Sequence, residues 1–266
     1  MPQKQELAHA STVLRTLEIN ATFYANQKLA SFSNWYEQAR PGFVFTIKGP
    51  KFITHQKKLR DVAAPLANFM ASGVLKLGDK LGPFIWQLPG NLAFDAERIE
   101  NFLALLPQTP DAASGLAARQ DGRIAEPYAG IEGITRIRHA MEVRDASYAT
   151  PEFIALLRRY NVAMVIADTA DWPYHDLTAD FAYLRLQGPA DTEATAYSPG
   201  QLDAWAGQFR DWSVGTDTTT GPTLGAATAN GLPRDVFAFF VHENKENAPV
   251  NARAVMATLG LRGAGE

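Results

Sequence analysis

Residues 140–168, AMEVRDASYATPEFIALLRRYNVAMVIAD, contain a strand, a helix and a second strand in direct succession. Segments 140–144 and 162–168 are short apolar runs of the kind that forms buried strands. Between them, Thr150 provides a helix cap and Pro151 occupies the first helical position, before the apolar segment 153–157. This order predicts parallel strands that are buried on both faces.

The same alternation recurs along the chain. Apolar runs that predict strands lie at 16–20, 43–48, 81–88, 140–144, 162–168, 181–187 and 235–242, with helical patterns such as 6–14, 28–39 and 99–106 between them. A complete (β/α) barrel has eight strands. The sequence therefore predicts a single domain over residues 1–266, an α/β TIM-type barrel with seven parallel strands that lacks the first strand. Segments 108–137 and 213–234 are expected to be long excursions. An open or irregularly closed sheet is the alternative.

The composition excludes several classes of protein. The 266 residues carry a formal net charge of −3, and cysteine is absent, so disulfides, thiolate metal sites and a cysteine nucleophile are excluded. No apolar run approaches the ~18 residues of a membrane span, and the first residues lack the apolar core of a signal peptide. We therefore expect a cytoplasmic protein with no membrane partner. Glycine-rich nucleotide-binding motifs and the Gly-x-Ser-x-Gly motif of serine hydrolases are also absent.

Polar side chains at the ends of the predicted strands indicate a ligand site. In parallel βα folds the carboxyl ends of the strands meet at one mouth, where ligands bind. The candidates for catalysis are Glu18, Glu142 and Asp168. The candidates for ligand binding are Asn20, Tyr24, Lys48, His55, Gln87, Arg144 and Arg185. Any one of the charged residues could equally form an ion pair inside the barrel.

Glu142 and Arg144 lie two residues apart, so strand alternation places them on the same side. They form either an internal salt bridge or a general acid/base with an arginine that holds an anion. We expect Lys48 and Arg185 to hold a small anionic, sugar-like ligand with a phosphate or carboxylate group, and Glu18 or Glu142 to move protons. The residue pattern does not fix a reaction.

The main basic segment of the chain suggests an alternative partner. Lys48, Lys51, Lys57 and Lys58 cluster around His55, and Thr54 is expected to cap a helix that begins near His55 and offers N–H groups to an anion. With Phe23, Tyr24 and Phe52, this segment could contact single-stranded or damaged nucleic acid, although the negative net charge argues against it. A third hypothesis is a scaffold that has lost its chemistry.

Metal ligands are sparse in this sequence. Glu18, Glu142, Asp168 and Asp145 could supply oxygen ligands to Mg²⁺ or Mn²⁺, and no other cofactor is predicted. The five histidines form no metal-binding pattern, so a histidine-rich zinc site is not expected.

Several motifs in order resemble the DUF72 (YecE-like) family. They are EINATFY at 18–24, FVFTIK at 43–48, FITH at 52–55, LGPFIWQLP at 81–89, HAMEVR at 139–144, YLRL at 183–186 and DVFAFF at 235–240. The resemblance covers residues 2–259 and implies a TIM-type barrel, but it brings no assigned activity.

Three departures from the family pattern predict a divergent or impaired member. The usual opening strand with Gly-Thr-Ser-Gly-Trp is missing. The usual Arg-Leu-His-Gly is replaced by the sequence RLQG at 185–188. The usual Asn-rich end of the last strand is replaced by HEN at 242–244.

Overall fold

The computed structural model describes residues 3–188, 197–226, 231–241 and 246–261. In these residues seven parallel strands alternate with helices, as in a TIM-type α/β barrel. The strands are β1 (Thr16–Ile19), β2 (Val44–Lys48), β3 (Leu81–Gln87), β4 (His139–Glu142), β5 (Val162–Ala167), β6 (Phe181–Leu186) and β7 (Asp235–Phe240). Each strand lies where the apolar pattern predicts it. The chain divides into two compact units, residues 1–139 and 140–266.

The first unit is built on β1, β2 and β3, which pair in parallel with Thr16 opposite Val44 and Phe45 opposite Leu81. Its α-helices are α1 (Gln3–Val13), α2 (Ala21–Tyr24), α3 (Leu29–Gln38), α4 (Ala63–Ala71), α5 (Ala96–Leu105) and α6 (Pro110–Ala117). The 3₁₀ segment Val74–Lys80 leads into β3. Gly49 follows β2 and lies against the ring of Trp86, where an added Cβ would be 2.3 Å from a ring carbon. Only glycine allows this close approach.

Side-chain caps fix the start of two helices in this unit. The Asp95 carboxylate accepts a hydrogen bond from the Arg98 amide at 3.1 Å, which confirms the predicted cap of α5. Thr109 caps α6 in the same way, with Pro110 in its first turn. The sequence pattern did not predict α6, because its alanine-rich stretch shows little periodicity. Burial of Ala113, Leu116 and Ala117 stabilises it.

The prediction that Thr54 caps a helix near His55 is wrong. Thr54 lies inside a π-helix, Phe52–Gln56, and its side chain is completely buried. Its hydroxyl lies 3.4 Å from the Pro50 carbonyl oxygen and 2.8 Å from Nδ1 of His55. The hydroxyl therefore bonds within its own segment rather than to the amides of a following turn.

The second unit contains the rest of β4 and strands β5, β6 and β7. β6 pairs in parallel with both of its neighbours, with Val165 opposite Tyr183 and Phe181 opposite Asp235. The helices are α7 (Pro151–Arg159), α8 (Pro199–Ser213) and α9 (Asn247–Thr258). The predicted caps at Thr150 and Ser198 are confirmed. The sequence HEN at 242–244 lies outside the described residues.

Candidate functional site

Glu142 is the centre of a charged cluster in the second unit. It is the last residue of β4, and its side chain is buried together with that of Arg185 on β6. Arg185 donates from Nη1 to Oε2 of Glu142 at 2.7 Å. Arg144 donates from Nε and Nη2 to Oε1 at 3.2 and 3.1 Å. The predicted Glu142–Arg144 pair is confirmed, although Arg144 lies two residues beyond the end of β4, and two guanidinium groups share this one carboxylate.

A cavity of about 160 Å³ lies beside this cluster. Its walls combine strand ends with the loop that follows β5. The lining residues are Glu142, Val143, Arg144, Val165, Ala167, Thr169, Asp171, Trp172 and Gln187. The Arg144 side chain is 51% exposed although its guanidinium is bonded to Glu142, so part of this side chain remains accessible to a ligand. The cavity therefore joins a fixed, accessible cation to several polar side chains.

The ring of Trp172 contributes to the wall of this cavity. Its side chain is buried, and its indole Nε1–H has no hydrogen-bond acceptor within the described part of the chain. Its ring contacts Tyr174 edge-on, with the centroids 5.2 Å apart. A buried donor without an acceptor costs about 1–3 kcal/mol.

Asp168 organises the chain after the strands and does not line the cavity. Its carboxylate accepts hydrogen bonds from the amides of Gln187 at 2.6 Å and Gly188 at 3.1 Å, and from the phenol of Tyr197. Burial, together with the Asp168 carboxylate, raises the pKa of the Tyr197 phenol, so this hydroxyl stays protonated. Three donors therefore hold the carboxylate of Asp168, which the sequence predicted to be a catalytic residue.

In the first unit, predicted ligand-binding residues gather around Phe23. The Lys48 ammonium lies 4.5 Å from the centroid of the Phe23 ring, and the Tyr24 and His55 rings meet that ring edge-on at 5.1 Å. Lys48 and Phe23 are buried, whereas Tyr24 is 77% exposed. The sequence suggested Phe23 as a possible contact to nucleic acid, and its burial leaves little of this side chain accessible to such a partner.

The remaining candidates in the first unit lie at the ends of strands. Glu18 on β1 and Gln87 at the end of β3 are buried, and Asn20 is exposed at the start of α2, where its side chain makes no capping hydrogen bond. Their part in a ligand site stays a prediction.

The sequence did not single out Thr169, Asp171 or Trp172. They lie in a short loop without apolar periodicity, and the one signal was their position just after β5. Loops at the carboxyl ends of parallel strands commonly carry binding residues.

Two broader features follow from the described residues. Within the described ranges, no group of three or more His, Asp or Glu side chains could hold a metal ion. None of the helices in those ranges is both long and apolar enough to cross a membrane.

Comparisons with known proteins give one consistent result. A family model described as "Protein of unknown function DUF72" matches residues 1–265. A DUF72 family protein from Enterococcus faecalis (EF0366) is 14% identical, with a TM-score of 0.65 over 98% of this chain and 96% of that chain. A DUF72 family protein from Thermotoga maritima (TM1631) is 21% identical, with a TM-score of 0.67 over 98% of this chain and 91% of that chain. At these identities, the two structures show a shared fold. No curated protein matches the chain.

Proposed function

Because the chain belongs to the DUF72 family, whose description assigns no activity, we propose its function from the second unit: the cavity beside Glu142 binds a small anionic, sugar-like ligand. The observation that carries this proposal is the position of Arg144. Its half-exposed side chain lines the cavity, and its guanidinium is held by a carboxylate that also pairs with Arg185. An arginine fixed in this way is preorganised for a carboxylate or phosphate.

The charges of the cluster support an anionic ligand. The Glu142 carboxylate carries one negative charge against the two positive charges of Arg144 and Arg185. Asp171 adds a second carboxylate to the lining, and because both Asp171 and the Arg144 side chain are open to solvent, water and salt screen both charges. Of the two arginines, Arg144 is the one that lines the cavity, so it is the cation that an anionic ligand would meet there.

The size and the donors of the cavity support a small hydroxylated molecule. Its volume of about 160 Å³ is below the ~300–1,000 Å³ of pockets for drug-sized ligands. Gln187 offers an amide and Thr169 a hydroxyl, which suit the hydroxyl groups of a sugar. Glu142 accepts three hydrogen bonds from arginines. We therefore propose that Glu142 orients Arg144 and does not transfer protons.

A nucleic-acid partner is the weaker alternative. The basic segment that suggested it is divided in the structure, since Lys48 is buried against Phe23 and Lys57 lies 4.0 Å from the Asp61 carboxylate. Binding to nucleic acid draws most of its strength from several accessible cations that neutralise phosphates. This segment offers few of them.

Titration calorimetry with D-glucuronate as the probe and D-glucose as its uncharged counterpart tests the proposal. We expect D-glucuronate to bind, and D-glucose to bind at least ~10-fold more weakly, since a charged hydrogen bond contributes about 1.5–3 kcal/mol. Arg144→Gln should weaken D-glucuronate binding by a similar factor. The matched control is Arg253→Gln, which changes an exposed arginine of α9 outside the cavity lining. Equal binding by the two arginine variants, or no binding of the acid, would reject the proposal.

A further inference from the structure

A second concave surface lies in the first unit, and the function proposed above does not involve it. We call it the aromatic groove. It encloses about 400 Å³ between α2, the π-helix and the loop after α6. The lining residues are Thr22, Phe23, Tyr24, Ala25, Asn26, Pro50, Lys51, Phe52, Ile53, Gln56, Pro65, Asn68, Arg123 and Ile124. Its volume is within the range of small-molecule sites.

Two aromatic side chains of the groove are exposed to solvent. Tyr24 is 77% exposed and Phe52 is 46% exposed, and both line the same concavity. The Phe23 ring, which is buried and also lines the groove, meets the Tyr24 ring at 89°. Exposed aromatic surface gathered in one concavity is typical of binding sites, whereas scattered exposed apolar residues are common on any surface. Flat, apolar ring faces favour a ligand that is itself an aromatic ring.

The charge of the groove has one sign. Lys51 and Arg123 line it, and none of its described lining residues is acidic. Both cations are exposed, and Arg123 is 80% exposed at 3.5 Å from Asp121, a separation that gives only a weak pair in water. Asn26 and Gln56 add amide donors. A ligand with an anionic group fits this lining, whereas a cation would find no carboxylate there.

The backbone around Phe52 is irregular in a way that often accompanies binding sites. Phe52 and Gln56 begin and end a π-helix. The next turn contains three residues other than glycine with positive φ, namely Lys58 at 48°, Leu59 at 67° and Asp61 at 50°. Conformations of this kind are costly and persist where the surrounding structure enforces them. This segment presents the Phe52 ring and the Gln56 amide to the groove.

We propose that the aromatic groove binds a planar aromatic ring that carries an anionic group. The ring lies against Tyr24 and Phe52, and the anion reaches Lys51 and Arg123. The site differs from the cavity of the second unit in both residues and ligand, so it does not depend on the proposed function.

Three small probes separate the parts of this proposal. Naphthalene-1-sulfonate combines ring and charge, naphthalene-1-sulfonamide keeps the ring without the charge, and methanesulfonate keeps the charge without the ring. Titration by nuclear magnetic resonance should give the tightest binding for naphthalene-1-sulfonate, with at least ~10-fold weaker binding of the other two, since each lacks one class of contact. Equal binding of the sulfonate and the sulfonamide would overturn the proposal, as would failure of the sulfonate to bind.

Variants locate the binding in the groove. Tyr24→Ala combined with Phe52→Ala should weaken binding of naphthalene-1-sulfonate at least ~10-fold, and Lys51→Gln combined with Arg123→Gln should also weaken it and reduce its salt dependence. The controls are Val214→Ala and Arg119→Gln, exposed residues outside the lining. All the substituted side chains are exposed, and thermal melts confirm that the variants fold. If the controls weaken binding as much as the groove variants do, the proposal is wrong.

Discussion

The pH dependence of the free energy of unfolding tests whether His139, a buried histidine of the first unit, is neutral in the folded protein. His139 is completely buried and held between two partners, with Trp86 Nε1–H donating to its Nδ1 at 3.2 Å and its own Nε2–H donating to the Pro107 carbonyl at 2.8 Å. Phe84 stacks on the ring at a centroid distance of 5.4 Å. The imidazole is therefore neutral, with its proton on Nε2. A second proton on Nδ1 would point at the Trp86 N–H, and the hydrogen bond between them would be lost. Burial lowers the pKa of His139 to about 4.

The size of the effect follows from the two pKa values. In the unfolded chain His139 has an ordinary pKa near 6.5, so between pH 6.5 and 4 the unfolded state binds the proton and the folded state does not. The free energy of unfolding therefore falls as the pH drops through this window. One pKa unit corresponds to about 1.4 kcal/mol, so the gap predicts a loss of about 3 kcal/mol between pH 7 and pH 4 from this residue.

Urea unfolding at several pH values, in wild type and in His139→Gln, isolates the contribution of His139. Glutamine keeps an acceptor for Trp86 and a donor for Pro107 but has no titrating group. Carboxylates and the other histidines titrate in both proteins, so the difference between the two unfolding free energies reports His139. We expect this difference to shift by about 3 kcal/mol in favour of the variant as the pH falls from 7 to 4. A difference that stays constant across the range would refute the assignment of a neutral, buried imidazole.

Two further predictions concern buried charges in the second unit. Arg185→Met should lower the free energy of unfolding by about 3–5 kcal/mol, because it leaves the buried Glu142 with Arg144 as its remaining arginine partner. The double variant Glu142→Gln with Arg185→Met should recover most of this loss in the same urea titration, and a double variant no more stable than the single one would contradict the reasoning. Asp176→Ala removes a carboxylate that accepts from the amides of residues 224 and 225, both at 2.8 Å, and should cost about 1–3 kcal/mol. Hydrogen exchange of those amides should rise in this variant, and unchanged exchange would contradict it.

Caps and strand positions could be predicted because they depend on neighbouring residues. Asp95, Thr150 and Ser198 each bond to an amide three residues further along, so the cap and its partner lie in one short stretch of sequence. The seven strands follow from local apolar runs in the same way. Where a local pattern was weak, as in α6, the prediction failed. Thr54 was predicted to cap a helix because it is a polar residue in front of a helical segment. In the structure it is buried inside a π-helix, so this prediction failed as well.

The partners of the polar side chains were decided by the tertiary structure. The two-residue spacing of Glu142 and Arg144 predicted their pairing, although β4 ends at Glu142, and Arg185 comes from another strand, 43 residues after Glu142. His139 meets Trp86 and Pro107 across 53 and 32 residues, and no local pattern distinguishes it from a solvated histidine. Local sequence thus fixes which segments become strands and helices, because propensity and capping act over a few residues. Which charges meet, and whether they face water or a cavity, depends on the packing of segments that are distant in sequence.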